Sequence, residues 1–387
     1  MYPTISHLIE DLFGVNIPLP IQTFGFFVAL GFFSAAYILQ FELKRREKIG
    51  QFSPITKKEL IGKPASMFDY FSNALIWFFV GFKLIELILN YSDFVDNPQA
   101  MILSLRGNII GGVLGLLYGI YSKHIENKKQ ILKEPKWIEK QIHPFELVGN
   151  ITMVAAISGL LGAKIFHNLE NIDELIANPI TALLSFSGLT FYGGLICGTI
   201  AVGWYIKKHK MSFLYAADSI APGLILAYGV GRIGCQMAGD GDWGIENTLD
   251  KPKFLSFLPD WMWSFDYPGN VLRKGIPIEG CNGPFCYVLE TPVFPTPFYE
   301  TIMALVIFGI LWYLRKRILI PGMIFSIYLI MNGIERFWIE KIRVNANYNI
   351  FNFEITQAEI ISSLLFFTGI VFSLYLFKRH KEDKPIW

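Results

Sequence analysis

Charge is what this chain has least of. Of its 387 residues only 17% are Asp, Glu, Lys or Arg, where a soluble domain carries roughly a quarter. So low a share excludes an ordinary water-soluble fold. The net charge is +2, and Lys and Arg sit in short clusters beside apolar segments, so no nucleic-acid partner is expected. Cysteine and histidine are scarce too. Four Cys and six His, none at ligand spacing, predict no metal and no cofactor.

Apolar length is abundant instead. Hydrophobic residues make up 52% of the chain and aromatics 16%. They gather into runs near the ~20 residues that cross a bilayer core. Nine spans are predicted, over residues 21–40, 70–89, 108–122, 145–166, 190–206, 212–237, 297–314, 320–335 and 356–377. The third and eighth are short. No basic n-region precedes the first, which therefore reads as an anchor and not as a cleaved signal peptide.

Basic residues follow every second span. They are Lys44, Arg45, Arg46 and Lys48; then Lys123, Lys128, Lys129, Lys133, Lys136 and Lys140; then Lys207, Lys208 and Lys210; then Arg315, Lys316 and Arg317; and last Lys378, Arg379 and Lys381. The positive-inside rule then puts the N-terminus in the periplasm and the C-terminus in the cytoplasm. The expected fold is all-α, a polytopic transmembrane helical protein. Its expected segments are 1–68 (first span and basic loop), 69–122 (a span pair), 123–143 (a basic loop), 144–237 (a membrane core), 238–296 (a small periplasmic head) and 297–387 (the last spans). In the head, Cys281 and Cys286 flank a Gly-Pro turn. An oxidising compartment would let them pair; two free thiols are the other outcome.

The segment 81–107 aligns without gaps to 162–188, at a constant offset of 81 residues. Matches include Gly81/Gly162, Lys83/Lys164, Asn90/Asn171, Asn97/Asn178, Pro98/Pro179, Leu103/Leu184, Ser104/Ser185 and Gly107/Gly188. A Gly-Gly pair follows each copy, Gly111-Gly112 and Gly193-Gly194. Membrane composition accounts for Leu and Gly matches but not for Lys and Asn-Pro at fixed spacing. A parallel duplication is therefore expected.

Polar groups inside spans are costly and mark sites. Three clusters fall on the outer side by the charge rule. Gly231-Arg232-Ile233-Gly234 leads into a turn with Asp240, Asp242 and Gly244, where Arg232 could offer a forked donor to phosphate. Glu335-Arg336 leads to Glu340 and Arg343; at helical spacing Arg336, Glu340 and Arg343 share a face, and Glu340 could hold either arginine. Tyr192-Gly193-Gly194 opens the fifth span. The bland readings are a snorkelling arginine, an interfacial helix with internal ion pairs, and an aromatic belt residue. Taken together, the clusters suggest a site for an anionic lipid headgroup.

These residues resemble the motifs of the prolipoprotein diacylglyceryl transferases. Gly231-Arg232-Ile233-Gly234 followed by Trp243-Gly244 is similar to the family signature. Tyr192-Gly193-Gly194-Leu195-Ile196 resembles its His- or Tyr-Gly-Gly-Leu-Ile element, and Ala217-Asp218-Ser219-Ile220-Ala221-Pro222 its Ala-Asp-x-Ile-Ala-Pro. Phe294-Pro295-Thr296-Pro297-Phe298-Tyr299-Glu300 resembles His-Pro-x-Gln-Leu-Tyr-Glu, and Arg336-Phe337-x-x-Glu340-x-x-Arg343 resembles Arg-Phe-x-x-Glu-x-x-Arg. Order and rough spacing agree from Phe145 to the C-terminus. There are departures. Cys235 and Ala238 stand where the family has Asn, Phe24 where it has Tyr, and Lys164 where it has Arg; the family's Glu corresponds to Asp240 or Asp242. Spans two and three are surplus to the usual seven and hold the first repeat copy.

The resemblance implies transfer of a diacylglyceryl group from phosphatidylglycerol to the lipobox cysteine of secreted prolipoproteins, in a bacterial inner membrane with the site facing the periplasm. It implies catalytic roles for Tyr192, Arg232, Arg336 and Asp240 or Asp242. It implies substrate-binding roles for Lys164, Gly193, Gly194, Gly234, Gly244, Glu300, Glu340 and Arg343. Membrane lipids are the other expected partners. A non-enzymatic transporter or lipid-binding scaffold, and a family member that has lost catalysis, are the alternatives.

Overall fold

The computed structural model describes residues 1–382 apart from positions 97, 133, 185–187, 189, 282, 346 and 351–352. Asn97, Lys133 and Ser185 therefore lie outside the described residues. Nine helices of 18 residues or more occur among those described: α1 (Thr23–Lys48), α2 (Met67–Leu89), α3 (Ile109–Gln130), α4 (Val148–Glu170), α5 (Phe191–Lys208), α6 (Phe213–Ala238), α7 (Thr296–Leu314), α8 (Met323–Glu340) and α9 (Gln357–Lys381). Each overlaps one expected span. Six regions are long and apolar enough to cross a membrane by length and composition: α1, α2, Pro144–Glu170 (which contains α4), α6, α7 and α9. The protein is thus a mostly helical, multi-pass membrane protein.

Local chemistry sets several helix ends. Ser66 and Asp69 form a reciprocal capping box at the start of α2, and Thr356 and Glu359 do the same for α9. α6 stops at Gly239, whose φ of +63° suits glycine and whose N–H reaches the Cys235 carbonyl.

The all-α expectation needs one correction. Among the described residues there are three two-stranded antiparallel ladders: β1 (Ile55–Ile61) with β2 (Lys136–Ile142), β3 (Ile276–Pro277) with β4 (Tyr287–Val288), and β5 (Asn347–Ile350) with β6 (Phe353–Thr356). β1 and β2 come from the basic loops that follow the first and third spans. Lys58 opposite Glu139 and Leu60 opposite Trp137 give that ladder favourable cross-strand pairs.

The chain forms two compact units. One comprises Met1–Ser53, Pro144–Ala156 and Ala201–Trp387; the other comprises Pro54–His143 and Ile157–Ile200. The first holds α1, α6, α7, α8, α9 and the head. Its apolar centre is Ala221, Ile225, Ala304, Ile307, Leu311 and Ile324. Close packing of small residues, rather than apolar transfer, holds helices together in lipid. In the head, the Tyr267 ring is fully buried against Trp243, with centroids 5.0 Å apart. Its hydroxyl donates to Gln236 Oε1 at 2.8 Å. Cys281 and Cys286 are disulfide-bonded.

The second unit contains both repeat copies, and their backbones match. The Asn108 N–H bonds to the Phe82 carbonyl at 2.9 Å, and the Thr190 N–H to the Ala163 carbonyl at 3.1 Å. Paired short helices, Tyr91–Asp96 with Pro98–Leu103 and Ile172–Ala177 with Pro179–Leu184, occupy equivalent places. A Cβ on Gly111 would meet the Gly81 carbonyl oxygen at 2.4 Å, and one on Gly193 the Gly162 oxygen at 2.6 Å. Glycine lets each hairpin close.

Candidate active site

The first unit carries a buried ionic network where α6 and α8 end and α7 begins. Glu300, in the first turns of α7, is fully buried. Three arginines converge on it: Arg232 Nε at 3.0 Å, Arg343 Nη1 at 3.0 Å and Arg336 Nη1 at 3.3 Å. Asp242 binds two of the same arginines, Arg232 through one oxygen and Arg343 Nη2 through the other at 2.8 Å. Glu340 holds Arg336 at 2.9 Å and accepts from Asn345 at 2.6 Å. The guanidinium groups are not sealed in. Side-chain exposure is 17% for Arg232, 23% for Arg336, 9% for Arg343 and 36% for Asp242.

Each piece is placed by a local device. Gly239 and Gly241, at φ +63° and +97°, turn the chain back after α6 and bring Asp242 beside Arg232. The Thr296 hydroxyl donates to the Asp242 carbonyl at 2.7 Å. Gly244 forms a bridge to Arg343, and its N–H reaches the Phe294 carbonyl at 2.8 Å. A Cβ on Gly244 would meet the Ile342 carbonyl oxygen at 2.4 Å, so glycine is required for that approach.

The expectation that Arg336, Glu340 and Arg343 share a helical face needs correcting. α8 ends at Glu340, and Lys341 is its C-cap. Arg343 lies in the following turn, which aims it at Glu300 and Asp242 rather than at Glu340.

The two candidate aspartates differ electrostatically. Burial opposes ionisation of Asp242, but Arg232 and Arg343 outweigh it and hold its carboxyl below the usual range. Asp240 goes the other way: burial, then the charge of Asp242, raises its proton affinity. It accepts the Asp242 N–H at 3.3 Å. Beyond the helix end, the Arg343 guanidinium is held more firmly charged; burial opposes this, and Glu300 and Asp242 overcome it.

Cys235 is buried, with Arg232 Nη1 3.8 Å from its sulfur. Cys235, Asp240 and Asp242 also bring ligand atoms within 4.8 Å of one another, close enough for a cation. Both Asp242 oxygens are already engaged by arginine, so a cation there would compete with two guanidinium groups.

Gly234 packs α6 onto α1, where a Cβ would lie 2.8 Å from Phe27 Cβ. Tyr192, Gly193 and Gly194 open α5 and Lys164 lies on α4, all in the second unit. A Cβ on Gly193 would meet Phe166 Cβ at 2.4 Å, and one on Gly194 the Gly159 oxygen at 3.0 Å. Sequence reasoning gave no role to two residues beside this network, although it named Glu335 in its polar cluster. Tyr228 passes as an aromatic one turn before Arg232, and Glu335 as the polar end of a span. Their one signal was a polar group at a position that lipid or core should own.

Comparison with known proteins now adds to this geometry. A relative from Corynebacterium glutamicum, described as a phosphatidylglycerol–prolipoprotein diacylglyceryl transferase, is 29% identical over 242 residues, covering 61% of this chain and 71% of that protein. A similarly described protein from Clostridium tetani is 30% identical over 232 residues, covering 59% and 81%. One from Vibrio vulnificus is 27% identical over 278 residues, covering 70% and 89%. A family model described as prolipoprotein diacylglyceryl transferase matches residues 113–375, a stretch that contains every member of the ionic network. The chain belongs to the prolipoprotein diacylglyceryl transferase family.

Proposed function

We propose that this protein transfers the sn-1,2-diacylglyceryl group of phosphatidylglycerol to the lipobox cysteine thiol of secreted prolipoproteins. The C–O bond between the diacylglyceryl carbon and the phosphate breaks, and a C–S bond forms. Glycerol phosphate leaves with the bonding pair. The thiolate is the competent nucleophile, so the thiol proton must pass to a base.

One observation carries this reading: Arg232, Arg336 and Arg343 meet on the fully buried Glu300 in a chain of this family. Preorganised guanidinium donors suit the charge that develops on a departing phosphate. Asp242 is the more exposed of the two carboxylates they share, and so the one a phosphate oxygen would displace. Asp240 suits the role of proton acceptor, because its proton affinity is raised while Asp242 is committed to arginine. The family motif alone assigns Tyr192 to orienting the thiol, and Gly193, Gly194 and Lys164 to substrate binding.

The membrane topology belongs to the same proposal. It has nine spans, the N-terminus and head in the periplasm and the C-terminus in the cytoplasm, in a bacterial inner membrane. The alternation of basic loops supports it.

The test is purified protein in phosphatidylglycerol nanodiscs with a lipobox peptide, following glycerol phosphate release. Arg232→Ala and Arg336→Ala should each cut turnover by about 10²–10³. Near-normal turnover would remove that arginine from the site. Absence of release by the wild type would return the chain to the transporter or scaffold reading.

A further inference from the structure

Glu300, Glu340 and Arg343 each leave one atom without an aligned hydrogen bond, but all three are ion-paired. Glu335 is different. It is 4% exposed, and neither of its carboxyl oxygens has a hydrogen-bond partner among the described residues. The buried Tyr228 hydroxyl has none either. Leaving such groups unsatisfied is costly, so they call for a water or a ligand.

Their placement selects the ligand. Tyr228 lies one helical turn before Arg232 on α6, and the Arg232 guanidinium sits 5.0 Å from its ring centroid. Glu335 immediately precedes Arg336 on α8. Both groups are within electrostatic range of Glu300 and of the two arginines. A second anion is disfavoured beside Glu335 and Glu300. An alcohol is favoured, because a carboxyl oxygen accepts from a hydroxyl and a phenol can both donate and accept. One turn of helix, about 5.4 Å, is within the reach of a three-carbon polyol joined to a phosphate held by Arg232 and Arg336.

We propose that Glu335 and Tyr228 bind the hydroxyl groups of the headgroup glycerol carried by the donor phospholipid, and so set the choice of donor. This rests on the transferase reading above and names the part of its substrate that the arginines do not recognise. Sites built around a substrate hydroxyl discriminate strongly against the analogue that lacks it, because buried polar groups are then left unpaired.

The test is a competition in nanodiscs containing equal amounts of phosphatidylglycerol and phosphatidylethanol, which keeps the phosphodiester and replaces glycerol with ethanol. Distinct acyl chains on the two lipids let the mass of the modified lipobox peptide report the donor used. Wild type should favour phosphatidylglycerol. In Glu335→Leu and in Tyr228→Phe that preference should fall about tenfold or more, the scale of one hydrogen bond to a charged group. Tyr228→Phe removes a single oxygen, so it answers even where Glu335→Leu fails to fold. An unchanged ratio in the folded variants, or equal loss with both lipids, overturns the proposal and leaves the pocket to ordered water. Native mass spectrometry of lipid bound to the same proteins reads headgroup preference without turnover. Wild type that binds selectively but transfers from neither lipid would sink the transferase reading alone. Loss of binding preference in the variants would still support the proposal.

Discussion

α6 carries an ionic cluster near each end, and the two are built differently. Near its start, Asp218 accepts the backbone N–H groups of Gly322 and Phe325, each at 2.9 Å, and lies 3.7 Å from Arg46. Close by, the fully buried Glu42 of α1 gathers Arg45, Arg46 and Arg315. The Arg315 guanidinium stacks on Trp312 at 3.3 Å, and Arg46 reaches Gln51 at 2.9 Å. Arg46 and Arg315 are each 2% exposed, while the Arg45 side chain keeps 18% exposure. About fourteen residues, or roughly 21 Å of helix, separate Asp218 from Arg232. At that second end three arginines again meet a buried glutamate, but here all three keep 9–23% exposure, and Glu335 and Tyr228 go unsatisfied. Both clusters tie helices together. The first leaves a single donor, Arg315 Nε, without a partner, whereas the second leaves a whole carboxylate and a phenol unsatisfied, and unspent capacity of that kind is what a ligand needs.

The sharpest way to break this contrast is to remove each central glutamate. Glu42→Ala would strand buried arginines and should destabilise the fold by about 3–5 kcal/mol, with turnover per folded molecule kept within a few-fold. Glu300→Ala should cut turnover by about 10²–10³ even in protein that remains folded. Thermal unfolding and glycerol phosphate release, measured on the same samples, separate the two. A folded Glu42→Ala protein with turnover as low as Glu300→Ala would show that the clusters are not functionally distinct.

Gly244→Ala sharpens the contrast from the backbone side. Its Cβ would press on the Ile342 carbonyl oxygen and shift the turn that carries Arg343. We expect a stability loss of about 1–3 kcal/mol. Displacing one arginine by a fraction of an ångström should add roughly a tenfold loss of turnover. Full activity in this variant would mean that Arg343 is not needed at its present position.

What the sequence made legible follows from the range of each interaction. The nine long helices could be read because an apolar run is a local signal. Arg232, Arg336, Glu300 and the aspartates could be read because short motifs carry them. The partnership of Glu42 with Arg315 could not, because 273 residues separate them and neither stands out from the basic residues beside it. The β1–β2 ladder was hidden because Ile-Thr-Lys-Lys-Glu-Leu-Ile shows no clean alternation. Its partner lies beyond two long and two short helices, so the pairing depends on where those helices end. Arg343 was misplaced by one turn, since helical spacing was extended past Lys341, where α8 has already stopped.

The repeat offers a milder test, in the other unit. Lys83 donates to the carbonyls of Met101 at 3.0 Å, Ser104 at 2.5 Å and Arg106 at 2.8 Å, so its charge closes a turn. Lys83→Met keeps the apolar stem and strips the donor. A loss of about 1–2 kcal/mol is expected, with turnover within a few-fold. A tenfold fall in turnover at unchanged melting temperature would give the first copy a part in the reaction.

The smallest expected effect separates two neighbours within the open cluster. Asp240 and Asp242 are two residues apart, yet their titrations should have opposite signs. The folded protein raises the Asp240 pKa, chiefly by burial and then through the charge of Asp242. Ionising Asp240 therefore costs the folded state. Its contribution is most favourable below the ordinary carboxylate pKa and is lost as pH rises toward the folded value. Asp242 is depressed, because Arg232 and Arg343 outweigh its burial. Its contribution is present above the ordinary carboxylate pKa and is lost as pH falls through the folded value. Melting temperatures of Asp240→Asn and Asp242→Asn, taken from acid to neutral pH beside wild type, give the two signs. Relative to wild type, Asp240→Asn should gain stability as pH rises from the acid side, and Asp242→Asn should lose it. Parallel curves for the two variants would mean that the aspartates share one environment. The assignment of Asp240 to the proton and Asp242 to the arginines would then fall.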